Sequence, residues 1–282
     1  MASGLGTAYI GLLPVLFAVV YLTALAWIVR RVPGESQIRS TQLACFGGVA
    51  LFFISLAFPL QFEKEWITLG WALEGMALVW LFQRVPHPGL KIWALVLLAL
   101  AFVRLALNPT VIDYHPRTAI PILNWYLYAY GVTALSFGLA AQLWRPREER
   151  LFQWRIPSLM LGLGTVLAFL LLNIEIADSF SSGSTLTFQF SRNFAQDMTY
   201  SLAWALFAFL LLLAGVKWGS RGARFASLGL LLATAVKVFL HDLWQLGQLY
   251  RVVSLVGLAI FLIVVSFLYQ RFVSPSTSSE EP

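Results

Sequence analysis

The sequence predicts an all-α, polytopic transmembrane helix bundle of about nine spans, and three observations carry that prediction. Hydrophobic residues make up 59% of the 282 positions and charged residues only 11%, whereas a soluble domain carries roughly a quarter charged residues. Mean hydropathy is strongly positive, +0.78. The apolar residues fall into long uninterrupted runs, and a helical span needs about 20 of them. Short alternating segments, the mark of an outer-membrane barrel, do not recur along the chain.

The first span is expected from about Ala8 to Val29, ending at Arg30-Arg31, and the second from about Thr41 to Leu60. The acidic-basic turn Glu63-Lys64-Glu65 leads into a third from Trp66 to Phe82, closed by Pro86 and Pro88, because proline cannot continue a helix. The fourth runs from Leu90 to Leu107. After it comes the most compact polar motif of the chain, Asp113-Tyr114-His115-Pro116-Arg117. The fifth span covers about Pro121 to Trp144, the basic loop RPREERLFQWR follows, and the sixth covers Ile156 to about Ala177. The segment DSFSSGSTLTFQFSRN is polar, and its end, TLTFQF, alternates like a short strand or an extended loop. Spans seven, eight and nine are expected at about Ala195–Val216, Gly222–Leu240 and Leu249–Phe272. Residues 1–273 thus read as one transmembrane domain and 274–282 as a disordered polar tail. MASGLGTAYI has no basic segment before its apolar run, so the first run reads as a span and not as a cleaved signal peptide.

Orientation follows from the basic residues. With the N-terminus outside and the C-terminus cytoplasmic, the inner side holds Arg30, Arg31, Arg39, Arg84, Lys91, Arg145, Arg147, Arg150, Arg155, Lys217, Arg221, Arg224 and Arg271, thirteen of the nineteen Lys and Arg. That bias is the topology signal of membrane proteins. It also explains the net charge of +6 without nucleic acid, since the basic residues form no single patch. Trp27, Trp66, Trp144, Trp154, Trp218 and Trp244 lie near span ends, where interfacial anchors lie. Cys45 is the only cysteine, so no internal disulfide forms.

The residues that stand out are ionisable groups inside this pattern. In LLLATAVKVFLHDLWQLGQLYR, Lys237, His241 and Asp242 interrupt an apolar helix, and Tyr250 and Arg251 follow. Lys237 and His241, four apart, share a helix face. Arg104, Glu175 and Lys237 lie near outer span ends, Arg251 lies just inside the ninth span, and Glu74 is deepest. A carboxyl group at that depth is too short to snorkel. A shared polar layer opening outward accounts for all five; helix-to-helix pairing, or snorkelling of the long basic side chains, is the plain alternative. Acid-base candidates are Glu74, Asp113, His241 and Asp242. Candidate ligand-binding residues are Arg104, Arg192, Lys237, Tyr250 and Arg251. Asp113, His115, His241 and Asp242 are of metal-ligand type, but their spacing fits no established metal motif. No phosphate-binding loop, dinucleotide fingerprint or nucleophile elbow occurs, and no cofactor is expected. Gly47-Gly48, Gly162 and Gly164 read as close-packing positions. The run Trp125-Tyr126-Tyr128-Tyr130, beside Asn124, reads as an interfacial belt, with a sugar platform as the alternative.

The last third of the chain resembles a known family. The residues are Arg192-Asn193, Asp197, Ser201-Leu202-Ala203-Trp204, Lys237-Val238-Phe239-Leu240 with Asp242, Tyr250-Arg251, Ser254 and Tyr269-Gln270-Arg271-Phe272. They are similar to the end of the large predicted bacterial membrane proteins of domain of unknown function 2339. The resemblance runs from Arg192 to Phe272 and extends more loosely back to Trp66. It implies a multi-pass protein of the bacterial inner membrane, corresponding to the carboxyl portion of longer family members, and it supplies no reaction. Three functions are therefore expected to compete. The first is binding or transport, in an outward cavity, of an anionic or sugar-containing envelope solute or lipid head group. The second is a membrane enzyme modifying an envelope glycan or lipid, and the third a structural subunit among membrane-protein partners. The lipid bilayer is a partner in all three.

Overall fold

The computed structural model describes residues 12–31, 37–61, 64–84, 86–113, 122–147, 150–151, 153–181, 183, 186, 194–242, 252, 256–257, 259–260, 263–264 and 266–267. It is overwhelmingly helical, and its contacts separate two compact units, Met1–Leu186 and Thr187–Pro282.

In the first unit α1 (Leu12–Arg31) and α2 (Gln37–Gln61) form a hairpin held by aromatic contacts. Phe17 stacks on Phe53 with ring centroids 5.1 Å apart, and Tyr21 reaches the same ring at 6.0 Å. α3 (Lys64–Arg84) and α4 (Pro88–Leu107) form a second hairpin. Its turn is proline-built: Pro88 opens α4, where a missing N–H costs nothing, and His87 Nδ1 accepts the Gly89 N–H at 3.1 Å. α4 stops at Asn108, whose side chain accepts from the Thr110 N–H and hydroxyl, and Pro109–Asp113 winds as a 3-10 turn.

The fifth helix starts at Trp125, later than the expected Pro121. Asn124 explains the shift. Its Oδ1 accepts the Leu127 N–H at 3.0 Å, the task of an N-cap residue, and Ile122 just before it has φ 72°, a strained value for a β-branched side chain. The helix is π-wound over Leu127–Val132 and continues as α5 (Thr133–Trp144). The basic loop holds a two-residue hairpin, β1 (Arg150–Leu151) against β2 (Trp154–Arg155), and α6 (Ile156–Phe180) follows. The core of this unit lies between α3, α4, α5 and α6, around Val79, Leu98, Phe137, Trp144, Ile156 and Leu167.

Of the four expected close-packing glycines, Gly164 alone fits tightly. A Cβ there would meet Phe137 Cβ at 3.1 Å and the Ala134 carbonyl at 3.2 Å, whereas Gly48 and Gly162 have open space and Gly47 ordinary contact. Gly164→Ala is expected to destabilise the chain by about 1–3 kcal/mol, the range for overpacking. Gly162→Ala is expected to leave thermal unfolding in detergent unchanged or slightly improved.

The second unit is organised by the hairpin of α7 (Phe194–Lys217) and α8 (Arg221–Lys237). Gly219 turns the chain at φ 65°, and Ser220 Oγ caps α8 by accepting the Ala223 N–H. Beyond Lys237 the helix becomes π-wound over Val238–Asp242. The described residues of the expected ninth span, among them Val256 and Ile260, are helical. Leu202, Leu206, Phe209 and Leu213 form an exposed apolar stripe along α7, as a lipid-facing helix does. TLTFQF lies almost entirely outside the described residues.

Four described helices are long and apolar enough to cross a membrane: Pro88–Leu107, Ile156–Phe180, Ala195–Lys217 and Arg221–His241. Shorter apolar segments occur at Leu12–Ile28 and Cys45–Ala57.

Candidate functional site

The α7–α8 hairpin is antiparallel with a three-residue turn, so its register is set. Counting back from the turn on both sides brings Ser201 opposite Lys237 and, one helical turn further, Asp197 opposite His241. The contacts follow that register. Lys237 Nζ donates to Ser201 Oγ at 2.7 Å and to the Asp197 carbonyl oxygen at 3.1 Å. His241 Nε2 lies 3.8 Å from Asp197 Oδ2, beyond hydrogen-bond reach. Asp197 is only 1% exposed and Tyr200 beside it is equally buried, while the His241 side chain is 39% exposed. The result is a two-rung polar ladder with a buried carboxylate, a clamped ammonium and an accessible imidazole. π-wound turns such as Val238–Asp242 are often found at functional sites.

Two further polar groups lie in the first unit. Ser55 Oγ of α2 lies 2.6 Å from Glu74 Oε1 of α3, and Trp93 Nε1 of α4 donates to Ser55 Oγ at 3.2 Å. Glu74 is 8% exposed. At the other cluster Asn124 Nδ2 donates to Glu175 Oε2 at 2.9 Å and to Asp178 Oδ2 at 3.3 Å. One amide thus caps the fifth helix and bridges two carboxylates of α6. Arg104 lies with its guanidinium 6.0 Å from the centroid of the Trp71 ring, a cation–π arrangement.

The predicted site residues therefore separate. Lys237 and His241 are brought together on Asp197 of α7, Lys237 at its main-chain carbonyl oxygen and His241 at its carboxylate. Glu74 and Arg104 belong to the first unit. Asp113 ends the 3-10 turn there and Asp242 ends the π-wound turn of the second unit; the side chains of both lie outside the described residues, as do His115, Arg192, Tyr250 and Arg251 entirely. Among the described residues no three His, Cys, Asp or Glu side chains gather as a metal site. Trp125, Tyr126 and Tyr130 are buried in the bundle, with Tyr130 Oη donating to the Leu105 carbonyl oxygen at 2.9 Å. They are core residues, neither a belt nor a sugar platform; Tyr128 alone of that run is exposed. Trp144 likewise is fully buried, whereas Trp27, Trp66, Trp154 and Trp218 are exposed as anchors would be. Ser201, Ser55, Asn124 and Asp178 complete the clusters; Ser201 stands among the residues that carry the family resemblance, and the α7–α8 register sets it opposite Lys237.

Helices of this length and hydropathy, with ionisable groups drawn inward, define an integral α-helical membrane protein. The family model for predicted membrane proteins, DUF2339, matches residues 2–114 and 89–272. The chain belongs to that family, and the match reaches well beyond the last third, where the resemblance in sequence is densest. No curated protein and no solved structure matches the chain.

Proposed function

We propose that this protein binds, and in doing so carries or presents, a polar envelope solute or lipid head group at the ladder of Ser201, Lys237, Asp197 and His241. The observation that supports this most is the pairing of His241 with Asp197 at 3.8 Å, the carboxylate 1% exposed and the imidazole 39% exposed. A clamp between helices needs only Lys237; an exposed imidazole beside a buried carboxylate presents a ring N–H to a ligand hydroxyl or phosphate. Asp197 offsets the charge of Lys237, which favours a hydroxyl-rich, sugar-like head group over a bare anion. Arg192, Tyr250 and Arg251 remain candidate ligand contacts in this reading, whereas Arg104 belongs to the first unit and is no part of the ladder. The test uses phosphatidylglycerol, whose head group carries both phosphate and hydroxyls. His241→Gln is expected to weaken its binding to the purified chain by about 1.5 kcal/mol, roughly tenfold, with phosphatidylcholine as the weak control. Equal affinity in the variant and the unaltered chain contradicts the proposal.

The reading includes nine spans in a bacterial inner membrane, N-terminus outside, supported by the concentration of Arg and Lys in alternate loops. Cys45 is the only cysteine, which makes the topology simple to test. In a Cys45→Ser background, Lys64→Cys is expected to react with an impermeant maleimide from outside intact cells. Arg147→Cys is expected to react only after the membrane is opened. The reverse pattern inverts the orientation.

An enzyme is the second reading, and the 2.7 Å contact of Ser201 Oγ with Lys237 Nζ favours it specifically. His241 would then move a proton beside the Asp197 carboxylate, and Asp242 remains an acid-base candidate of the same unit, whereas Asp113 and Glu74 belong to the first unit. Turnover of a glycolipid that Ser201→Ala abolishes and His241→Gln slows would favour this reading over simple binding.

A further inference from the structure

We propose that Glu74 is a proton-binding site inside the α2–α3–α4 packing: its carboxyl group holds a proton at neutral pH and donates it to Ser55. Glu74 sits midway along α3, ten residues from each end of Lys64–Arg84, or ~15 Å at the helical rise. Both Glu74 and Ser55 are 8% exposed. The next residue, Gly75, brings α4 close: a Cβ there would meet Leu98 Cγ at 2.9 Å and the Ala94 carbonyl at 3.3 Å.

The hydrogens can be counted. Ser55 Oγ has three polar neighbours: the Leu51 carbonyl at 2.9 Å, Glu74 Oε1 at 2.6 Å and Trp93 Nε1 at 3.2 Å. The indole can only donate and the carbonyl can only accept, while the hydroxyl has one hydrogen and two lone pairs. With Glu74 neutral all three contacts are made: Trp93 and Glu74 donate to Ser55, and Ser55 donates to Leu51. With Glu74 ionised, Ser55 must turn its hydrogen to the carboxylate, and the Leu51 contact goes unused.

The 2.6 Å separation suits either donor, so the surroundings decide. Glu74 Oε2 is buried without a hydrogen-bond partner. Of the elements packed on α3, α2 brings Ser55, α4 brings Arg104 and the π-wound segment brings Tyr130. Arg104 stacks over Trp71, one turn along α3, and Tyr130 donates to the Leu105 carbonyl. Among the described residues none places a positive charge within ion-pairing distance of Glu74. A buried carboxylate with a bare oxygen and no cation is strongly disfavoured; the neutral acid is not. Loss of the proton to solvent would turn the Ser55 hydroxyl from Leu51 to Glu74 and would require water or a cation at Oε2. The packing of α2, α3 and α4 is therefore proton-sensitive at this level, whatever binds at the α7–α8 ladder.

Infrared difference spectra of the full chain in lipid vesicles at neutral pH test this. The unaltered chain minus Glu74→Gln is expected to show the carbonyl stretch of a protonated carboxyl group, shifted in D2O. Ser55→Ala is expected to displace that band, since the acceptor is lost, and it serves alone if Glu74→Gln does not insert. A difference spectrum containing only carboxylate bands, with no protonated-carboxyl band displaced by Ser55→Ala, overturns the proposal.

Discussion

Lys237→Met is expected to destabilise the α7–α8 hairpin by about 3 kcal/mol, the cost of losing two hydrogen bonds from a charged donor. The ammonium is held by Ser201 Oγ and the Asp197 carbonyl, and the Asp197 carboxylate, 1% exposed, has His241 Nε2 3.8 Å away on the opposite helix. Methionine fills a similar volume and removes the charge. The loss should be partly reversed by Asp197→Asn in the same chain, because the lysine charge held at the Asp197 carbonyl then no longer has a buried carboxylate on the same residue to offset. Thermal unfolding of the single and double variants in detergent gives the cycle. A double variant no more stable than Lys237→Met shows that the carboxylate does not depend on the lysine. Unaltered melting of Lys237→Met removes the ladder from the account of this unit.

Trp144→Ala is expected to have a comparable effect in the first unit, about 3–5 kcal/mol for a buried aromatic removed from a packed core. Trp144 is 0% exposed and belongs to the core cluster with Phe137 and Ile156. Trp27, which the structure leaves exposed on α1, is the control: Trp27→Ala should cost far less in detergent. Equal losses for the two contradict the buried placement of Trp144.

The contrast between these tryptophans shows what sequence can and cannot tell about a membrane protein. All of them lie near the ends of apolar runs, where an anchor is the natural reading. Whether a neighbouring helix covers a given position depends on packing, which composition does not encode. The helices themselves were legible because apolar runs, prolines and basic ends are local signals. The fifth helix starts a few residues later than its apolar run suggests, since Asn124 caps it while also bridging Glu175 and Asp178, and that bridge joins residues over fifty positions apart. The Glu74 network was half legible. A carboxyl group deep in a span draws attention by itself, but Ser55 and Trp93 come from two other helices, and nothing local connects them. The α7–α8 ladder lies between these cases. The spacing of Lys237 and His241 placed them on one face, and the short turn at Gly219 fixes which residues of α7 oppose them.

The claim that this ladder binds a polar head group is tested most directly by the histidines. The chain has three, His87, His115 and His241, so nitrogen spectra of histidine-labelled protein resolve into few signals. Titration with phosphatidylglycerol is expected to move the His241 ring signals and leave those of His87, at the α3–α4 turn, in place. A titration that leaves the His241 signals unmoved contradicts the account.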